Sequence, residues 1–199
     1  MKQKPIIAVD IDDVLSSSAQ AIIDYGNKLW GYQHTIEDFT EHLAVLWQVD
    51  VDEAERRWLD FVETGHHSTL EVIPDAKEAL QKLIKHYTLI AVTSRRDILI
   101  PITEAWLETN YPGSVTRVIS AGIYGKGHKD PHSLTKAGIL QDIKADFLID
   151  DQPKHCIGAA KVGIESILFG DYPWQRDIEL PPEVIRCRNW QEVVMHFNG

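Results

Sequence analysis

Two short apolar runs, far apart in the chain, each end in a cluster of acids. Residues 6–11, Ile-Ile-Ala-Val-Asp-Ile, lead into Asp10, Asp12 and Asp13, and Phe147-Leu148-Ile149 leads into Asp150 and Asp151. Runs of this length and composition read as buried strands rather than helices. Three more follow the same rule: Leu89-Ile90-Ala91-Val92 ends at Thr93-Ser94-Arg95-Arg96, Val118-Ile119 is a shorter run, and Ser166-Ile167-Leu168-Phe169 ends at Gly170. Helical patterns lie between them. Pro74 to Lys85 puts Ala76, Ala79, Leu80, Leu83 and Ile84 on one face, Pro101 to Thr109 opens on a proline suited to a first turn, and Leu134 to Ile143 is amphipathic. Strands alternating with helices predict an α/β chain with a parallel sheet covered on both faces.

Residues 16–72 break that rhythm, with no strand-like run and many aromatics, among them Tyr25, Trp30, Trp47, Trp58 and Phe61. They predict a helical insertion after the first strand, leaving residues 1–15 and 73–199 as the core. Its aromatics form either the core of that insertion or a stacking surface for a base. Tyr172 to Pro182 is rich in proline and predicts a surface loop. The two cysteines, Cys156 and Cys187, have neither disulfide-framework nor metal-ligand spacing. No apolar run spans a bilayer and the N-terminus lacks signal-peptide character, so a cytoplasmic protein without membrane contact is expected. A net charge of −10 disfavours binding to a nucleic-acid duplex. A small anionic partner needs a local cation.

In an open parallel sheet, ligands bind outside the carboxyl ends of the strands. There the first strand delivers Asp10, Asp12 and Asp13, the second Thr93 and Ser94, and the fourth Asp150 and Asp151. So many acids at one edge repel one another unless a cation joins them, and an all-oxygen set suits Mg²⁺. Lys136 belongs to the same edge by geometry. A helix descends about 1.5 Å per residue and a strand climbs about 3.3 Å per residue, so a helix start and the end of the next strand meet. Each feature has a plainer explanation, as a loop acid, a helix cap or a solvated lysine. Their conjunction, in this order, favours a site.

That conjunction resembles the haloacid dehalogenase (HAD) superfamily of phosphohydrolases. Its motifs are matched by Ile7-Ala8-Val9-Asp10-Ile11-Asp12-Asp13-Val14, by Leu89-Ile90-Ala91-Val92-Thr93, by Lys136, and by Phe147-Leu148-Ile149-Asp150-Asp151. Within the superfamily the chain is similar to the 5'(3')-deoxyribonucleotidases, through Val72-Ile73-Pro74-Asp75-Ala76, Val92-Thr93-Ser94-Arg95 and Leu168 to Trp174. The resemblance implies a HAD-like Rossmannoid three-layer fold with a small helical cap. It also implies a Mg²⁺-dependent phosphatase acting on a small phosphorylated metabolite, such as a nucleoside monophosphate. Asp10 is then the nucleophile that forms an aspartyl-phosphate and Asp12 the general acid and base. Thr93 and Lys136 hold the phosphoryl oxygens, with Ser94 and Arg95 as further phosphate contacts. Asp10, the backbone carbonyl of Asp12 and Asp150 hold the metal, with Asp151 in support. Asp13 and Asp75 depart from the family, which carries Gly at both positions.

Other readings share these residues. A sugar phosphate or another small monoester is an alternative substrate, and a non-catalytic module keeps the same fold. A receiver-type signalling domain also combines acids, Thr or Ser, and Lys around Mg²⁺. In a receiver, however, the lysine follows the Thr or Ser on the last strand, whereas Lys136 precedes a late acidic pair. His66-His67 lacks a third partner for a metal and predicts solvated side chains. His128 and His132 have no role in this reading.

Overall fold

The computed structural model describes residues 4–121 and 135–198, so His128 and His132 lie outside the described residues. In chain order the elements are β1 (Ile6–Val9), α1 (Ser18–Trp30), α2 (Leu43–Leu46), α3 (Val51–Glu63), α4 (Ala76–Leu83), β2 (Thr88–Thr93), α5 (Ile100–Asn110), β3 (Val118–Ser120), α6 (Lys136–Asp142), β4 (Phe147–Asp150), α7 (Pro153–Ala160), β5 (Glu165–Phe169), β6 (Val184–Cys187) and α8 (Trp190–Asn198). Among the described residues the sheet has six strands in the order β3-β2-β1-β4-β5-β6, and every pairing is parallel.

Alternation along the strands divides the core into two layers. Ile7, Val9, Leu89, Ala91, Ile149, Ile167 and Phe169 face a cluster completed by Ala76, Leu80 and Leu83 of α4, Trp106 and Leu107 of α5, and Trp190 and Val193 of α8. Ala8, Ile90, Val92 and Leu148 face the opposite cluster, which holds Ile139 and Leu140 of α6 and Ala159 of α7. Helix, sheet and helix thus make three layers. Successive strands run outward from β1 on one side and from β4 on the other, so the order reverses between β1 and β4. A crevice opens at the carboxyl ends of strands at such a reversal.

Residues 16–72 hold α1, α2 and α3. Leu46, Trp47 and Ala54 form their own small cluster, with Trp30, Tyr32, Phe39 and Trp58 around it. Tyr25 and Phe61 join the main core instead, which ties the insertion to the sheet layers. Cys156 and Cys187 are free and buried. No helix among the described residues is long and apolar enough to cross a membrane. The strand β6 is an addition to the sequence expectation: it is short, follows Pro181 and Pro182, and exposes Arg186, as an edge strand does.

Candidate active site

The reversal point places the acids. The Asp10 backbone N–H donates to the Ile149 carbonyl at 2.9 Å, so Asp10 and Asp150 leave neighbouring strands side by side. Between them stands Lys136, the first residue of α6, whose start is capped by Thr135 accepting from the Gly138 N–H at 3.1 Å. The Lys136 Nζ lies 2.7 Å from Asp10 Oδ2 and 2.7 Å from Asp150 Oδ2, and the residue is 1% exposed. Burial alone pushes the lysine toward its neutral form, but the two carboxylates hold it charged and above its ordinary value. Burial raises Asp10 to about 6 against the pull of Lys136, with Asp150 and Asp12 adding to the rise. Asp10 Oδ1 is buried and has no hydrogen-bond partner among the described residues.

Asp12 turns away from this group. Its carboxylate takes a fork from Arg95, with Nε at 3.0 Å from Oδ2 and Nη2 at 2.7 Å from Oδ1, and it also accepts from the Ser18 hydroxyl. Burial opposes ionisation of Asp12, but the Arg95 guanidinium and these hydrogen bonds win and lower it to about 2. Arg95 is itself buried and anchored by Thr103 Oγ1 at 3.0 Å and Ser16 Oγ at 3.2 Å. The structure therefore places Arg95 on Asp12. Thr93, at the end of β2, is fully buried, and its hydroxyl accepts the Arg95 N–H at 3.1 Å. Ser94 lines the crevice, and its buried Oγ has no hydrogen-bond partner among the described residues.

Asp151 is held by Gln152 and by two residues of the stretch expected to be a surface loop, Trp174 and Gln175. Trp174 Nε1 donates to its Oδ2 at 2.8 Å, Gln152 Nε2 donates to the same oxygen at 2.9 Å, and Gln175 Nε2 donates to its carbonyl at 2.8 Å. Tyr172 stacks on Trp174 with centroids 4.5 Å apart and donates through its hydroxyl to the Asp13 carbonyl at 2.7 Å. Gly170 makes this turn possible. Its φ is +91°, and a Cβ there would sit 2.2 Å from the Tyr172 ring. Residues 172–175 of the stretch after β5 thus brace Asp13 and Asp151 from behind, while Arg176, Asp177, Glu179 and Pro182 are exposed as in a surface loop.

The two departures from Gly have a backbone reason. Asp13 and Asp75 adopt φ of 57° and 63°, the left-handed region where Gly is easiest and Asp is tolerated. Asp13 offsets part of that cost by accepting the Ala19 N–H at 3.1 Å in the first turn of α1. Burial raises the Asp13 carboxyl to about 8, and the Ala19 N–H resists the rise.

Over these residues lies a cavity of about 410 Å³. Its floor is Asp10, Asp12, Asp13, Ser94 and Asp151, and its roof comes from the insertion, including Ile22, Phe39, Ala54, Trp58 and Phe61. Three ion pairs join roof to core: Glu37 to Arg176 at 2.6 Å, Glu41 to Lys154 at 2.6 Å, and Glu55 to Arg96 at 2.5 Å. Every acid of the three is on the insertion and every base on the core. Of the tryptophans in the insertion, Trp47 is 1% exposed and packs with Trp30, while Trp58 lines the cavity under the Arg96 guanidinium at 4.0 Å. Phe39, absent from the sequence reading, lines the cavity and touches Trp174 with centroids 5.2 Å apart. His67 is buried rather than solvated and also lines the cavity.

Among the described residues, Asp10, Asp150 and Asp151 form a cluster whose carboxylate oxygens lie within 4.8 Å of one another, all buried. The Asp12 carboxylate is engaged by Arg95 and stands apart from it. An anionic oxygen buried without a partner, amid two further carboxylates, fits a divalent cation with oxygen preference.

Comparison with known proteins places this arrangement among phosphatases. Residues 4–121 match the model of the 5' nucleotidase, deoxy (pyrimidine), cytosolic type C proteins. A candidate 5'(3')-deoxyribonucleotidase of Staphylococcus aureus is 26% identical over 159 residues, covering 74% of this chain and 74% of that protein. A haloacid dehalogenase-like hydrolase of Streptococcus pneumoniae superposes with a TM-score of 0.73 at 17% identity, over 99% of this chain and 100% of that one. A candidate HAD-hydrolase of Bacillus subtilis, solved with magnesium bound, gives 0.65 at 14% identity over the whole of both chains.

Proposed function

Because this chain belongs to the 5' nucleotidase, deoxy (pyrimidine), cytosolic type C family, and is thereby a phosphoric monoester hydrolase, we propose that it hydrolyses a small monoester of the deoxynucleotide type through a phosphorylated Asp10. One observation carries the reading. Asp10 is a buried carboxylate fixed by Lys136 at one oxygen, at the floor of the cavity that the insertion roofs. That is how a nucleophile is oriented.

Asp10, Asp150 and the Asp12 backbone carbonyl would hold Mg²⁺, with Asp151, steadied by Trp174, as a further oxygen donor. When bound, the ion neutralises the charge between carboxylate and phosphate and polarises the phosphoryl oxygens. The chain's own groups do the rest. The Asp10 carboxylate attacks phosphorus in line, the ester P–O bond breaks, and the leaving oxygen takes a proton from Asp12. Water then attacks the aspartyl-phosphate, passes its proton to Asp12, and frees inorganic phosphate and Asp10. Lys136, Thr93 and Ser94 hold the equatorial oxygens. The Arg95 fork keeps Asp12 in its ionised form, the form that accepts a proton from water. To donate, Asp12 must gain a proton and loosen that fork. Residues 16–72 act as a lid over the core of residues 1–15 and 73–199, excluding water and enclosing the leaving group.

Phosphate release from deoxynucleoside and sugar monophosphates, measured with and without Mg²⁺, tests this function. Release that falls by on the order of 100-fold or more on chelation is expected. No release from any monoester overturns it. The ionic seam makes a second expectation. Exposed ion pairs weaken as salt rises, so the Michaelis constant should increase roughly twofold to fivefold between low and near-molar salt. Reversing one pair, as in Glu41→Lys, should remove part of that salt response, which steady-state kinetics would read.

A further inference from the structure

Asp10 Oδ1 and Ser94 Oγ are accounted for by metal and phosphate, but one further residue of the cavity is not. His67 is 6% exposed, and among the described residues neither of its ring nitrogens has a hydrogen-bond partner. Its neighbour His66 shows the contrast, with Nδ1 bonded to the Thr64 hydroxyl at 2.8 Å. The plane of His67 is fixed by aromatic edges, Phe61 at 5.1 Å and Trp58 at 6.5 Å between centroids. Those ring contacts supply neither nitrogen with a hydrogen-bond partner. A packing role alone would favour a Leu or Phe at this position, because burying two unpaired polar atoms is costly.

The position says which part of a substrate the ring meets. His67 sits in the one-turn helix His66–Ser68, where the insertion returns to the core. It lines the cavity, and the charges of both Arg95 and Asp12 act on its ring. Asp10 and Lys136 mark the phosphoryl end, and Asp12 marks the leaving oxygen. His67 therefore faces the alcohol that departs. Burial lowers the ring to about 4, and the Arg95 charge adds to the effect, so the imidazole is neutral near pH 7. A neutral imidazole carries one donor and one acceptor. Its complement is a hydroxyl, which offers both. Phosphate oxygens only accept and would use one nitrogen.

Building on the phosphatase reading, we propose that His67 is a specificity-determining residue that holds a free hydroxyl of the leaving alcohol and so selects sugar-type monoesters. The probes are thymidine 5'-monophosphate, its 3'-deoxy analogue lacking the free sugar hydroxyl, and p-nitrophenyl phosphate. With the wild type, kcat/KM should fall at least about 10-fold on losing that hydroxyl, because a site's unpaired polar group rejects the analogue. His67→Phe should cut kcat/KM for thymidine 5'-monophosphate by about 10-fold to 100-fold, mostly through KM, and leave the other two probes within about threefold. His67→Gln, which restores a donor and an acceptor, should recover most of the loss.

An equal loss on all three probes would mean a purely structural residue and overturn the proposal. So would a wild type indifferent to the sugar hydroxyl, a result that stands even where His67→Phe does not fold. Release of phosphate from p-nitrophenyl phosphate separates this failure from failure of the parent reading. A wild type inert on all three probes with Mg²⁺ overturns both.

Discussion

Asp10→Asn is expected to abolish turnover, by on the order of 1,000-fold or more, while leaving the fold at least as stable as the wild type. The two halves of that result have different causes. An amide is not a nucleophile toward phosphorus, so no phosphorylated residue forms. The stability half follows from burial. Asp10 is raised to about 6 in the folded chain, so between about pH 4 and 6 the folded state binds more protons than the unfolded one. Stability from this group then falls as pH rises through that window, and above it the ionised carboxylate is a standing cost. Asn removes the cost and keeps the shape. Its carbonyl can accept from Lys136, and its amide replaces the oxygen without a partner, opposite Asp150 and Asp151. In chelator, the melting temperature of the variant relative to the wild type should therefore rise as pH goes from 4 to 6 and then level off. Mg²⁺ should stabilise the wild type more than the variant. Retained phosphatase activity would remove Asp10 from the mechanism, and a collapsed far-UV spectrum would show that the residue is structural.

How much of this site is legible in sequence depends on how local its signal is. Asp10, Thr93 and Asp150 stand at the ends of apolar runs, and chain order alone puts strand ends at one edge of a parallel sheet. Lys136 needs one more step, the descent of a helix and the return of a strand, and its 2.7 Å contacts follow from that arithmetic. The partners of these residues carry no such signal. Arg95 follows Thr93-Ser94 at the end of β2, yet its guanidinium turns back to Asp12 because Thr103 and Ser16, distant in sequence, supply the remaining acceptors. Trp174 and Gln175 lie in a proline-rich stretch with no periodicity, and only Gly170 hints that the chain folds sharply back there. His67 is hidden for a different reason. A pair of adjacent histidines looks polar and exposed, and nothing nearby in sequence reveals that one of them is covered by Phe61 and Trp58. The strand β6 escapes because four residues with an exposed Arg186 bury too little to show a pattern.

Lys136→Met should be the most destabilising single change at the site. The lysine side chain is entirely buried between two carboxylates, and Met, one atom shorter, keeps its unbranched stem but not its charge. Removing one partner of a buried ionic group strands the others, at a cost of about 3 to 5 kcal/mol. For a chain of this size that is a fall of roughly 6 to 20 °C in melting temperature. Turnover should drop on the order of 100-fold to 1,000-fold as well, since the proposed mechanism uses this cation to hold the transferring phosphoryl group. Electrostatics can be separated from packing by three comparisons. Without Lys136, Asp10 and Asp150 face each other unscreened and hold protons more tightly in the folded state. The variant should therefore lose stability more steeply with rising pH than the wild type does, because the folded state binds the extra protons. Mg²⁺ should restore more stability to the variant than to the wild type, by taking over the role of the ammonium. Asp10→Asn added to Lys136→Met should recover a large part of the loss, a non-additivity expected only of groups in direct contact. A Lys136→Met protein that melts like the wild type, with the same pH profile and the same response to Mg²⁺, would mean that the lysine and the two carboxylates do not form the charged cluster from which the proposed phosphate chemistry follows.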